Sequence, residues 1–121
     1  MSIPLTAYPL MPPNPRRDLL PGTLDMLVLK TLSVQPMHGY AIARHIQRLS
    51  QDVFRIEEGS LYPALQRMRQ KGWVRAEWRQ TPNNQRARYY TITTTGRKQL
   101  GAQSAGFDDL VAAIGRVMRT V

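Results

Sequence analysis

Glu57-Glu58-Gly59-Ser60-Leu61-Tyr62-Pro63-Ala64-Leu65-Gln66-Arg67-Met68-Arg69-Gln70-Lys71-Gly72 is the stretch that decides how this chain folds. At about 100° per residue, Leu61, Ala64, Leu65 and Met68 fall on one side, the i, i+3, i+4, i+7 stripe of a helix with a buried face. The opposite side carries Pro63, Gln66, Arg67 and Gln70, opened by Gly59, Ser60 and Tyr62 and edged by Lys71. It has no acid and no large aliphatic residue. Its amide, hydroxyl, phenol, guanidinium and ammonium groups are those that bond base edges and phosphates. Taken alone, such a face is also what an ordinary solvated helix shows. Glu57 and Glu58 could pass for a catalytic pair, but acids at the positive end of a helix dipole are the simpler account. Proline is comfortable only in a first turn, so with Pro63 the helix starts near Leu61 or bends near Gly59, and both remain open.

The residues after the helix change its meaning. Gly72 stops it, Trp73 to Gln80 reads as a strand, Thr81-Pro82-Asn83-Asn84 is turn chemistry, and Gln85 to Thr93 reads as a second strand. Trp73, Val74, Trp78, Tyr89, Tyr90 and Ile92 supply the hairpin's apolar residues, while Arg75, Arg79, Arg86 and Arg88 supply its charge. Arg86 and Arg88 share one face if the strand is regular, though the register is not legible. A polar helix with a basic hairpin directly behind it is the grammar of a winged helix-turn-helix.

Upstream, Pro21-Gly22 leads into a first helix capped by Thr23 and running to about Ser33. Leu24, Leu27, Val28 and Leu32 share a face, and Met26 and Leu29 widen it, so this helix requires burial on two sides: its own core and a partner subunit. Gln35-Pro36-Met37-His38-Gly39 reads as a turn. A second helix runs from Gly39 or Tyr40 to about Ser50, with Ile42, Ile46 and Leu49 on its core face. His38 and His45 stand alone, without cysteine or a carboxylate cluster, and a metal site needs several convergent ligands.

After the hairpin, about residues 95–119 form a last helix. Leu100, Phe107, Ile114 and Val121 recur every seven residues, with Leu110 and Val117 at the alternate positions and Val111 and Met118 beside them. This is a short coiled-coil-like seam. Only helix 1 and a second copy of the same helix remain to cover it, so homodimerisation through Leu100, Phe107, Leu110, Ile114 and Val117 is expected. Gly101, Gly106 and Gly115 weaken this helix by about 1 kcal/mol each relative to alanine.

Composition sets the outer limits. The chain has 121 residues, 42% of them hydrophobic, which suits one domain with a single core. It has no cysteine, which accords with a reducing cytoplasm and removes disulfides and thiolate metal sites. No apolar run approaches the ~20 residues of a membrane span. Five prolines crowd residues 1–17, read as a disordered arm whose Arg16 and Arg17 are idle or touch phosphate. Between Arg67 and Lys98, nine basic residues face one acid, Glu77, a net +8 of the whole chain's +9. A patch so confined implies a polyanion, and nucleic acid suits it better than a membrane because the segment has no exposed apolar face. There is no glycine-rich phosphate loop, metal-ligand spacing or nucleophile with a base partner, so an enzyme is not expected and no cofactor is assigned.

These motifs taken together resemble the PadR family of bacterial transcriptional regulators. The resemblance rests on Gly22-Thr23-Leu24-Asp25, His38-Gly39-Tyr40-Ala41-Ile42, Glu58-Gly59-Ser60-Leu61-Tyr62-Pro63-Ala64-Leu65, Lys71-Gly72-Trp73-Val74 and Arg86-Ala87-Arg88-Tyr89-Tyr90-Thr91-Ile92-Thr93, then Gly96. It spans about Asp18 to Met118, and the single last helix is similar to the family's short subfamily. The resemblance implies an α+β, mainly α fold: a winged helix domain over residues 18–93 and a dimerisation helix over 94–121. It implies a cytoplasmic homodimer that binds inverted-repeat operators in double-stranded DNA, usually as a repressor. Helix 3 would enter the major groove and the wing the flanking minor groove or backbone. Carried over by position, the DNA-contacting residues are Tyr40, Ser60, Tyr62, Gln66, Arg67, Lys71, Arg86 and Arg88. Some short members hold flat aromatic compounds between paired tryptophans of the last helix. Phe107 stands there in this chain and lacks the indole donor. Phe107 and Met26 are therefore candidates for either a small-molecule effector site or the dimer seam. A non-specific nucleic-acid-binding or architectural protein, and a protein-interaction adaptor, are the rival readings.

Overall fold

The computed structural model describes residues 22–120, and the proline-rich arm lies outside the described residues. The chain runs α1 (Thr23–Val34), β1 (Met37–His38), α2 (Gly39–Leu49), α3 (Glu58–Gln70), β2 (Val74–Gln80), β3 (Arg86–Ile92) and α4 (Thr94–Met118). A mainly helical chain with one small antiparallel sheet, three helices before the hairpin and one after it, is the winged helix-turn-helix arrangement expected.

The deciding stretch behaves as its periodicity requires. Leu61, Ala64, Leu65 and Met68 are all 0% exposed. Val28, Leu29 and Leu32 of α1 and Ile42 and Ile46 of α2 meet them, and Val74, Tyr90 and Ile92 of the sheet close the core. The start of α3 is now fixed at Glu58, with Glu57 at its N-cap and Pro63 inside the helix. Pro63 has no N–H to give the Gly59 carbonyl, so that first-turn carbonyl goes without its intrahelical partner. The C-terminus closes at Gly72, whose φ of 76° is the left-handed cap conformation. There the Trp73 N–H donates to the Met68 carbonyl at 2.9 Å and the Gly72 N–H to Arg69 at 3.0 Å.

Three local expectations change. The segment read as a turn contains a strand: Met37 pairs with Tyr90 and His38 with Tyr89, which puts β3 in the centre of the order β1-β3-β2. Two residues between Pro36 and Gly39 give no periodicity to read, so only the sheet edge offered by β3 reveals them. The cap of α1 is Gly22 at φ 86°, and Thr23 is the first helical residue and makes no side-chain cap. Leu49 is 70% exposed and not core. It is the last residue of α2, and the chain leaves there through Gln51 and Asp52, both at positive φ.

One knot of contacts ties the wing to α4. Thr93 caps α4 by accepting from the Gly96 N–H at 3.0 Å, while its hydroxyl donates to the Gly72 carbonyl at 2.6 Å. Gly96 lies against the Trp73 carbonyl, and a Cβ there would collide with that backbone and with Ile92. Neither neighbour can move without opening the start of the hairpin. Gly96→Ala should therefore destabilise the fold by about 2 kcal/mol or more, read as a lower urea midpoint with an unchanged slope.

Candidate nucleic-acid interface

The register of the hairpin explains where its charge goes. Val74 pairs with Ile92, Ala76 with Tyr90, Trp78 with Arg88 and Gln80 with Arg86, so all eight share one face of the β2·β3 ribbon. Near the base that face is core. Beyond the edge of the core the same face changes character to Trp78, Arg88 and Arg86. Trp78, counted with the hairpin's apolar set, is 59% exposed and is not core. The other face carries Arg75, Glu77 and Arg79. Arg79 is ion-paired to Glu77 and stacked 5.4 Å from the Tyr89 ring. The tip turns through Asn84 at φ 69°, with the Asn84 N–H donating to Thr81 at 2.9 Å.

The tip half of the wing looks across a cleft of about 840 Å³ at the start of α2 and α3. Tyr40, Tyr62, Arg86 and Arg88 all line this cleft, with His38, Gly39 and Trp78 between them. Four of the eight DNA-contact candidates, from three separate elements, are thus brought together. His38 caps α2 by accepting the Ala41 N–H at Nδ1 over 3.2 Å, and its ring meets Tyr89 edge-on at 5.3 Å. Tyr40 accepts from the Arg44 guanidinium at 3.2 Å. The Tyr62 ring packs on Gly39 so closely that a Cβ there would sit 2.7 Å from it. Partial burial, then Glu58 and Tyr90, raise the Tyr62 phenol above its ordinary 10.0. It stays protonated, able to donate a hydrogen bond, and its neutral form favours the fold until pH climbs past that ordinary value.

The other four candidates lie elsewhere on α3 or at its end. Ser60 and Gln66 are exposed. Lys71 stacks 4.7 Å from the Trp73 ring. Arg67 reaches back to α1, donating to the Asp25 carboxylate at 3.1 Å, with its own side chain 54% exposed and that of Asp25 only 11%. Two residues 42 apart in sequence give no signal of such a pair. Removing the guanidinium strands a nearly buried carboxylate, so Arg67→Ala should cost about 1–2 kcal/mol of stability. Asp25→Asn, which leaves no buried charge, should cost less, and urea midpoints equal to that of the wild type for both variants would show that the contact does not matter.

A second site lies at α4. Phe107, Leu110, Val111, Ile114, Val117 and Met118 are 44–76% exposed, an unpartnered apolar stripe. Leu100 is set apart from it, packed against the chain's own core. Where α4 passes α1, Met26 and Phe107 meet across a shallow hollow of about 290 Å³ with Gln103, Gly106 and Leu110. Among the described residues no group of three or more His, Asp or Glu is placed to hold a metal. No helix among them is long and apolar enough to cross a membrane.

Known proteins share this architecture. The model of the transcriptional regulator PadR-like family matches residues 28–102. A PadR family transcriptional regulator from Eggerthella lenta is similar at 31% identity and TM-score 0.69, over 83% of this chain and 85% of that one. A PadR family transcription regulator from Clostridium difficile is 25% identical with TM-score 0.69, over 80% and 99%. An uncharacterised protein of Lysinibacillus sphaericus is 29% identical over 85 residues, 70% of this chain and 78% of that protein.

Proposed function

This chain belongs to the PadR-like family of transcriptional regulators, and from that premise we propose that it is a homodimeric repressor that reads an inverted-repeat operator in double-stranded DNA. The observation that supports this best is the cleft that gathers Tyr40, Tyr62, Arg86 and Arg88 from α2, α3 and the wing. In this reading α3 enters the major groove. Tyr62, Gln66 and Ser60 supply sequence choice, and Arg86, Arg88 and Lys71 anchor phosphates. Arg67 divides its time between Asp25 and the DNA. Residues 18–93 form the DNA-binding unit, and α4 joins two copies so that their recognition helices sit about 34 Å apart, one turn of duplex. The chain is a binding protein and not an enzyme, and it works in the cytoplasm. The hollow at Met26 and Phe107 is the place for a small-molecule effector, which must bind two states of the dimer unequally to act.

The test is fluorescence anisotropy of the purified protein on DNA from upstream of its own gene, against the same sequence scrambled, across a salt series. Preference for the native fragment by about a thousandfold is the expected result for an operator reader. Equal binding to both would replace this reading with that of a non-specific, architectural protein, which the net charge of +9 would equally support.

A further inference from the structure

Trp78 has no place in the core and makes no side-chain hydrogen bond among the described residues, yet it keeps a large apolar surface in water. Its surroundings give it one. It stands directly opposite Arg88 in the ladder, two pairs inward from Gln80 and Arg86 and so on the same face. The Arg86 guanidinium lies 5.4 Å from the indole centroid and that of Arg88 lies 5.8 Å from it. Both are within the ~6 Å at which a guanidinium is held over an aromatic face. One ring therefore gathers two cations that would otherwise repel each other. Arg88 Nε is shielded from solvent and has no acceptor among the described residues, so no hydrogen bond there fixes this side chain. The one acid of the hairpin, Glu77, is on the opposite face and is taken by Arg79.

We propose that Trp78 is a positioning residue of the wing, holding Arg86 and Arg88 as a rigid pair of cations set for neighbouring phosphates of a DNA duplex. The proposal rests on the DNA-binding reading above and adds to it a reason for the exposed indole. Arginines two apart on a strand are separated by about 6.6 Å of backbone, comparable with the step between successive phosphates along one DNA strand. An unrestrained arginine loses rotamer freedom on binding, whereas a stacked one has lost it already.

Trp78→Leu keeps an apolar side chain and removes the π face, and Trp78→Phe keeps a smaller π face. Both would be compared with wild type, with Arg86→Ala/Arg88→Ala and with the triple variant carrying Trp78→Leu. The readout is anisotropy on the upstream duplex from about 50 to 300 mM salt, with thermal melts as the check on folding. Each phosphate contact contributes roughly 0.9 to the slope of log K against log salt, so Trp78→Leu should flatten that slope by about one to two and weaken binding about tenfold at 0.1 M. Trp78→Phe should recover most of the slope. In the double-alanine background Trp78→Leu should add less than about twofold, because the cations it positions are gone. An affinity loss with an unchanged slope would make Trp78 a direct DNA contact and overturn the positioning role, as would an additive triple variant. Failure of the wild-type protein to bind any duplex is a different result, which removes the DNA reading itself and the purpose of the pair with it.

Discussion

Leu110→Asp combined with Ile114→Asp should convert the proposed dimer to a monomer and weaken its hold on an inverted repeat by at least about a hundredfold. Leu110 and Ile114 are 49% and 51% exposed in the single chain, on a stripe that Val117 and Met118 continue at 70% and 76%. Large apolar side chains spaced three and four apart over residues 107–118 of α4 are costly to leave in water, and in the proposed dimer a second copy of α4 would cover them with the same pattern. A carboxylate at the centre of that seam would be desolvated without a partner. Because neither residue is buried in the protomer, the winged domain should keep its unfolding behaviour once allowance is made for the lost dimer. Operator affinity falls because each half-site must then be bound independently and loses the high effective concentration that the linked copy provides. Sedimentation equilibrium gives the mass directly. A variant that stays dimeric would show that the stripe on α4 is not the interface, and dimerisation would have to be sought elsewhere.

The second large effect concerns the division of labour within the cleft. Tyr62→Ala should weaken binding to the native fragment by about 10- to 100-fold more than binding to scrambled DNA, the range for losing a base contact. Arg88→Ala should weaken both about equally and lower the salt slope by about one. The difference comes from position. Tyr62 projects from α3 with a protonated phenol, whereas Arg88 stands on the wing, where the proposed reading has the duplex backbone pass. Tyr62→Phe separates the hydroxyl from the ring, since the aromatic packing on Gly39 is kept. Equal losses on both DNAs for all three variants would remove the separation between readout and anchoring. Arg67→Ala is a poor probe of readout, because it also strands Asp25. A loss there has to be read beside the urea midpoint.

Much of the fold was legible from the chain alone, because it depends on periodicity and local chemistry. The 3.6-residue stripe of Leu61, Ala64, Leu65 and Met68, the stop at Gly72 and the asparagines of the hairpin tip each act within a few residues of themselves. They gave the helices and the hairpin to within a few residues, and the run of basic side chains from Arg67 onward marked the region proposed to face a polyanion. The element boundaries that slipped were those decided by distant neighbours. β1 exists because β3 presents an edge to Met37 and His38, and Leu49 stays in water because the chain turns away before the core reaches it.

By itself, then, the sequence determined the order of the elements, the buried stripe of α3 and the placement of a net +8 of the chain's +9 between Arg67 and Lys98, from α3 through the wing into the start of α4. These are set by propensity, side-chain period and composition, which act locally along the chain. Only the tertiary structure decided which residues of that basic region act together. The pairing of Trp78 with Arg88 places an exposed indole under two arginines, and the packing of Tyr62 on Gly39 turns its phenol into the cleft. The approach of α1 to α3 commits Arg67 to Asp25. Each depends on strand register or helix packing between segments far apart in the chain, and a one-residue slip in the hairpin would have sent Trp78 and both arginines to opposite faces.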